Sequence, residues 1–262
     1  MGIVPPVCPA SHFALAIAKC IGKDRGVTAT RTSRSAWERY AWVAGILFVL
    51  ALVADFAVAS GIPVNQNDSA AKIANELNAH STRLLVIAGV CVVYAAMFPI
   101  YLWKLYDVLR GDADRSRTLA SLVLVGGVLF VALHAVSDIA ITGLVGAKLA
   151  SYGAQHDPGI SYTLYLVTFA VSSVGDIFGS LFAFTAGLLA LRSGVLPRWL
   201  AWVGIVAAIG LLLQGFGLGG VIATFGLVLD LIGFVLLLLF VLMSSVILLR
   251  REKSVGDAVQ VR

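Results

Sequence analysis

Six long apolar stretches, at about 41–60, 84–106, 119–147, 163–191, 199–217 and 221–249, run through this chain. A bilayer with a hydrocarbon core of about 30 Å takes roughly 20 residues of helix to cross, so each stretch is long enough or nearly so. Backbone amides in lipid must find partners within the protein, which makes uninterrupted apolar runs of this length helical. With 60% hydrophobic and 13% charged residues among 262 and a mean hydropathy of +0.95, the chain lacks the polar surface that clothes a soluble domain. Lipid is part of its solvent. The expected fold class is all-α: an integral membrane bundle of six transmembrane helices over 37–250, between a cytoplasmic tail at 1–36 and a second at 251–262.

The 19 Lys and Arg residues sharpen this reading. They alternate between the two sides of the six stretches, with 16 on one side and 3 on the other. By the positive-inside rule both termini are cytoplasmic, and a helix count wrong by one would scramble the alternation. Trp37, Tyr40, Trp42, Tyr101, Trp103, Tyr106, Tyr162, Tyr165, Trp199 and Trp202 mark the stretch ends as an interfacial aromatic belt. The expected location is the cytoplasmic (inner) membrane, with lipids as the surrounding partners. A charge of +5 could suit nucleic acid, but its placement beside apolar segments explains it without one, so none is expected.

The N-terminal tail does not read as a secretory signal, because Lys19, Lys23 and Arg25 follow its short apolar stretch instead of preceding it. Val27 opens VTATRTSRSAWERYAW, which reads as the start of a cytoplasmic tail; residues 1–26 are expected to extend past the native start.

Two loops are informative. In the first outer loop, Ala70, Ile73, Ala74 and Leu77 follow a cap candidate at Asp68 or Ser69. This i, i+3, i+4, i+7 spacing predicts a short amphipathic helix on the outer leaflet or over the bundle, against a plain connector as the simpler reading. The inner loop RGDADRSR reads as a solvated hinge.

Five ionisable groups fall inside the apolar stretches: Asp55, His134, Asp138, Asp176 and Asp230. A lipid-facing central Asp costs about 2.5–3.5 kcal/mol on insertion scales, so these groups face the bundle interior, water or a helix end. Counted from the outer ends, they lie in the outer half or near the midplane. His134 and Asp138, at i and i+4, are expected to share a helix face, where a carboxylate can hold an imidazole. Gln214, Tyr94 and Ser137 can add hydrogen bonds, while His80, His156 and Asp157 are loop residues on the same side. The sharper reading is a polar cavity open to the outside, formed by His134, Asp138, Asp176, Asp230, Gln214 and Asp55, that takes a small molecule or a proton. The plainer one is polar glue between helices. Gly175 and Gly179 around Asp176, and Gly226 and Gly233 around Asp230, predict close helix approach and offer faces for oligomerisation.

Motifs for other chemistries are incomplete. Cys8, Cys20 and Cys91 have no CxxC spacing, and a single intramembrane His is too few for the usual zinc hydrolase or paired haem ligands, so no metal, cofactor or catalytic residue is assigned. GFGLGG at 215–220 matches GxGxxG but joins two membrane helices without a strand, and HAVSD lacks a nucleophile elbow.

The stretch IPVNQNDSAAKIANELNAHSTRLLVIAGV and the later FGSLFAFTAGLLALRSGVLPRWLAWVGIVAA resemble a bacterial multi-pass membrane family, domain of unknown function family 4386. The resemblance rests on the segment from Asp68 to Arg83 and on the inner turn of Ser193, Gly194, Leu196, Pro197 and Arg198, and it would cover about 38–250. It implies a six-helix inner-membrane protein and no reaction. The residues themselves point to a binding, sensing or transport-related protein; the alternatives are an intramembrane hydrolase and a purely structural or interaction protein.

Overall fold

The computed structural model describes residues 30–65, 67–110, 117–215 and 223–260. Residues 1–26, the centre of the RGDADRSR loop and residues 216–220 of GFGLGG lie outside the described residues, as do Cys8, Cys20 and the side chain of Asp230. By contacts the chain divides into Met1–Trp37 and Glu38–Arg262. The first unit contributes only the opening turns of the first helix to the described residues.

All regular structure among the described residues is helical: α1 Thr30–Ala59, α2 Ala70–Ala79, α3 Ser81–Arg110, α4 Arg117–Ala135, a π-helical segment Val136–Gly146, α5 Ala147–Gln155, α6 Pro158–Ser193, α7 Arg198–Gly215 and α8 Ala223–Gln260. Five of these contain segments long and apolar enough to cross a membrane: Arg39–Ala59, Ser81–Arg110, Arg117–Ile139, Pro158–Ser193 and Leu231–Glu252. The chain is a multi-pass membrane protein. Its sixth apolar segment, Arg198–Gln214, is shorter. Rising about 1.5 Å per residue, it falls a few ångströms short of the full hydrocarbon thickness.

Several helices run beyond their apolar stretches. The expected loop between 147 and 163 is instead α5 and the first turns of α6, leaving only His156 and Asp157 between helices. Apolar patterning marks where lipid is, whereas helix continues wherever capping and packing support it. Asp157 caps α6 by accepting from the Gly159 amide at 2.9 Å, and Pro158 takes the first helical position, which needs no amide donor. The far end of α6 closes at Gly194, whose φ of 65° is left-handed and whose amide bonds to Ala190 O.

Adjacent helices pack in opposite directions. On α4 and α6, Gly126 meets the backbone at Phe178 and Phe182, Phe130 meets Gly179, and His134 meets Gly175. A Cβ at any of these glycines would sit 2.6–2.7 Å from its neighbour, so their small size sets the approach of the two helices. Likewise Gly187 faces Ala201 and Gly204 faces Ala183 across α6 and α7, while Gly204 meets Phe240 and Gly233 meets Gly210 across α7 and α8. Aromatic rings fill the centre. Phe98 lies 4.5 Å from Phe48, 5.9 Å from Phe130 and 5.5 Å from Phe182, and Phe182 lies 6.4 Å from Phe240. One ring cluster thereby joins α1, α3, α4, α6 and α8.

Helix α2 has its apolar side turned into protein. Ser69 accepts from the Lys72 amide at 3.3 Å to start it, and Ile73 and Leu77 form a small core with Leu84 and Ala150, flanked by Tyr162 and Tyr165. It therefore packs on α3, α5 and the start of α6. Most of the exposed large side chains of the remaining helices are apolar, among them Leu50, Val53, Phe56, Val92, Val125, Val206 and Ile209. Such a surface suits lipid and not water.

Candidate functional site: a polar layer between four helices

Between the middle of the bundle and the end that carries Ala59, Ser81 and Asp157, the apolar packing is interrupted. Five elements bring polar side chains together: Asp55 from α1, Cys91 and Tyr94 from α3, His134 from α4, Ser137 and Asp138 from the π segment that continues it, and Thr168, Ser172 and Asp176 from α6.

Asp138 is held on both oxygens. The Tyr94 hydroxyl donates to Oδ2 at 2.8 Å, and Ser137 Oγ lies 3.2 Å from Oδ1. Ser137, fully buried, also lies 2.8 Å from Ser172 Oγ and 3.1 Å from the Thr168 carbonyl, tying the π segment to α6. Thr142 Oγ1 reaches Thr168 Oγ1 at 3.3 Å. The Cys91 thiol lies 3.5 Å from Asp55 Oδ1. One ligand atom each from Asp55, Cys91 and Asp138 lie within 4.8 Å of one another.

His134 takes a different partner from the one its spacing suggests. Its Nδ1 donates to Phe130 O at 2.9 Å, and Nε2 faces Asp176 Oδ1 at 3.5 Å. The side chains of this pair are 14% and 6% exposed, so solvent screens them little. Gly175 makes the pairing possible, because the imidazole occupies the space a Cβ would take. The expected His134–Asp138 pairing is corrected accordingly: the helix changes from α to π at Val136, between the two residues, and each turns to its own bonded partner. A π turn spaces its hydrogen bonds at i→i+5 and occurs often at functional sites.

None of these bonds involves Gln214 or the loop residues His80, His156 and Asp157. Gln214 is on α7, and its buried Oε1 has no hydrogen-bond partner among the described residues. Asp230 lies in α8 without a described side chain. The loop residues serve local structure: His80 Nδ1 meets Glu76 O at 2.9 Å at the end of α2, His156 stacks on Tyr152 at 4.5 Å, and Asp157 is a helix cap. A cleft along the start of α6, lined by Asp157, Gly159, Ile160, Thr163, Leu164 and Val167, includes none of the six residues expected to form the cavity.

Sequence reasoning passed over Cys91, Thr168 and Ser172. A signal was present, since Thr168, Ser172 and Asp176 follow at i, i+4 and i+8 on one face of α6, and Cys91 and Tyr94 at i, i+3 on α3. Chemically, the layer presents three carboxylates, one imidazole and one thiol in a low-dielectric setting. Three carboxylates against at most one imidazolium leave an excess of negative charge that a proton or a cation must offset.

A family model described as a domain of unknown function, DUF4386, matches residues 43–248, and the chain belongs to that family. No curated protein and no solved structure matches the chain. The matched span contains every residue of the polar layer.

Proposed function

We propose that this membrane protein binds a small positively charged ligand in the polar layer, as a binding, sensing or transport protein of the inner membrane with access from the outer side. The observation that carries the reading is the convergence of Asp55, Asp138 and Asp176, with His134 as their one counter-charge among the described residues. Polar glue alone needs paired donors and acceptors; an excess of carboxylates calls for a proton or another small cation.

The same reading has six crossings and both termini in the cytoplasm. Supporting it, α7 runs opposite to both α6 and α8, so if those two helices cross, α7 returns between them. The alternating directions gather Arg39, Arg110, Arg117, Arg192, Arg198 and Arg250 at one end of the bundle, and the polar layer lies toward the other.

Reconstitution in sealed vesicles tests this. Monovalent, divalent and small organic cations are added outside, and retention by the protein is compared with protein-free vesicles. At least one class should be retained, and Asp138→Asn and Asp176→Asn should each lower retention about tenfold while the helical spectrum is preserved. Retention equal in wild type and both variants would refute the proposal.

A further inference from the structure

Resting on that reading, we infer that the cation is a late transition-metal dication of the zinc class, held by Asp55, Cys91 and Asp138. Three observations converge. The three donors come from three separate stretches, α1, α3 and the π segment, and are brought within 4.8 Å of one another in an otherwise apolar bundle. Zinc bonds of about 2.0–2.2 Å to oxygen and 2.3 Å to sulfur put tetrahedral donors roughly 3.3–3.8 Å apart. The Cys91 Sγ to Asp55 Oδ1 separation, 3.5 Å, already has that value. Finally, Asp138 is oriented from behind by Tyr94 and Ser137, the kind of outer-shell support that fixes a metal-binding carboxylate.

Donor chemistry selects the metal. Calcium and magnesium favour six or more oxygens, whereas a sulfur donor with two carboxylates favours zinc and its neighbours. On binding, the Cys91 S–H bond breaks, the sulfur keeps the electron pair and forms the S–metal bond, and the proton leaves to solvent; no oxidation occurs. Two carboxylates and a thiolate supply three negative charges to the dication, and His134 with Asp176 lies alongside as a separate pair. Three protein donors leave a fourth position for water or a ligand.

The test uses the full chain, purified without a histidine tag and stripped by a chelator. Added zinc should bind at one ion per chain, and cobalt(II) should show the absorption of a thiolate–cobalt bond. Cys91→Ser should abolish that absorption, and Asp55→Asn should weaken zinc at least tenfold. Tyr94→Phe, which leaves all three donors in place, should weaken it about tenfold as an outer-shell change, while Tyr101→Phe should not. Zinc no higher than in a protein-free blank overturns the inference, as does stoichiometric zinc unaffected by Cys91→Ser and Asp55→Asn. If zinc fails but Asp138-dependent retention of another cation persists, only the metal assignment falls; if neither is seen, both readings fall.

Discussion

Two buried tyrosines provide an internal comparison of what a hydroxyl is worth in this bundle. Tyr94 donates to the Asp138 carboxylate at 2.8 Å, whereas Tyr101 pairs with the neutral hydroxyl of Ser244 at 2.7 Å. Both residues are essentially inaccessible, and Tyr→Phe deletes one oxygen while leaving the ring contacts with Phe48 and Phe98. Interhelical hydrogen bonds in membranes average about 0.6 kcal/mol and reach about 1.7; bonds to charged groups are roughly twice as strong as neutral ones. Tyr101→Phe should therefore cost about 0.6 kcal/mol. Tyr94→Phe should cost about 1.5 kcal/mol, because the carboxylate it abandons has Ser137 as its remaining bonded donor. Reversible unfolding in mixed micelles, followed by far-UV circular dichroism, measures both. A Tyr94→Phe cost equal to or below that of Tyr101→Phe would refute the idea that the Tyr94–Asp138 bond is the stronger of the two.

Gly175→Ala should destabilise the protein by about 1–3 kcal/mol, since the new methyl meets the His134 ring at 2.6 Å; Gly89→Ala, with nothing within 4 Å of its Cβ position, should be neutral or stabilising, and equal effects would discount the close packing. Lys72, bonded to Asp68 at 2.9 Å, and the Asn65 amide hold the Asp68 carboxyl below its ordinary 3.8. Because the folded value is depressed, its contribution is present above 3.8 and lost as pH falls through the lower folded value. Carboxyl NMR titration should show that depression and its relief in Lys72→Ala; an unchanged midpoint would mean the pair does not form. In intact cells a cysteine at exposed position 157 should react with an impermeant reagent from outside, and one at exposed position 117 only after lysis; the reverse would invert the topology.

The apolar stretches made the long helices and their order readable, and the Gly175–Gly179 spacing announced a close contact that the structure contains. Helix lengths were not readable in the same way. The junction of α5 and α6 is set by the Asp157 cap and by the small core that Ala150, Tyr162 and Tyr165 join. Partner choice within the polar layer was also hidden. Spacing on one helix paired His134 with Asp138, but a π segment and a neighbouring glycine, features of three-dimensional packing, direct the imidazole to Asp176. Cys91 was set aside because a thiol in an apolar run reads as a small hydrophobe until Asp55 of another helix is placed beside it.

If the polar layer holds a cation and does not only fix packing, the thermal midpoints of wild type and Asp138→Asn with and without saturating cation separate the two roles. A ligand at 100 times its dissociation constant stabilises the folded state by about 2.7 kcal/mol. A clear rise in midpoint is expected for wild type and little or none for Asp138→Asn. If cation leaves both unchanged, or raises both equally while the variant is merely less stable, the layer serves packing alone.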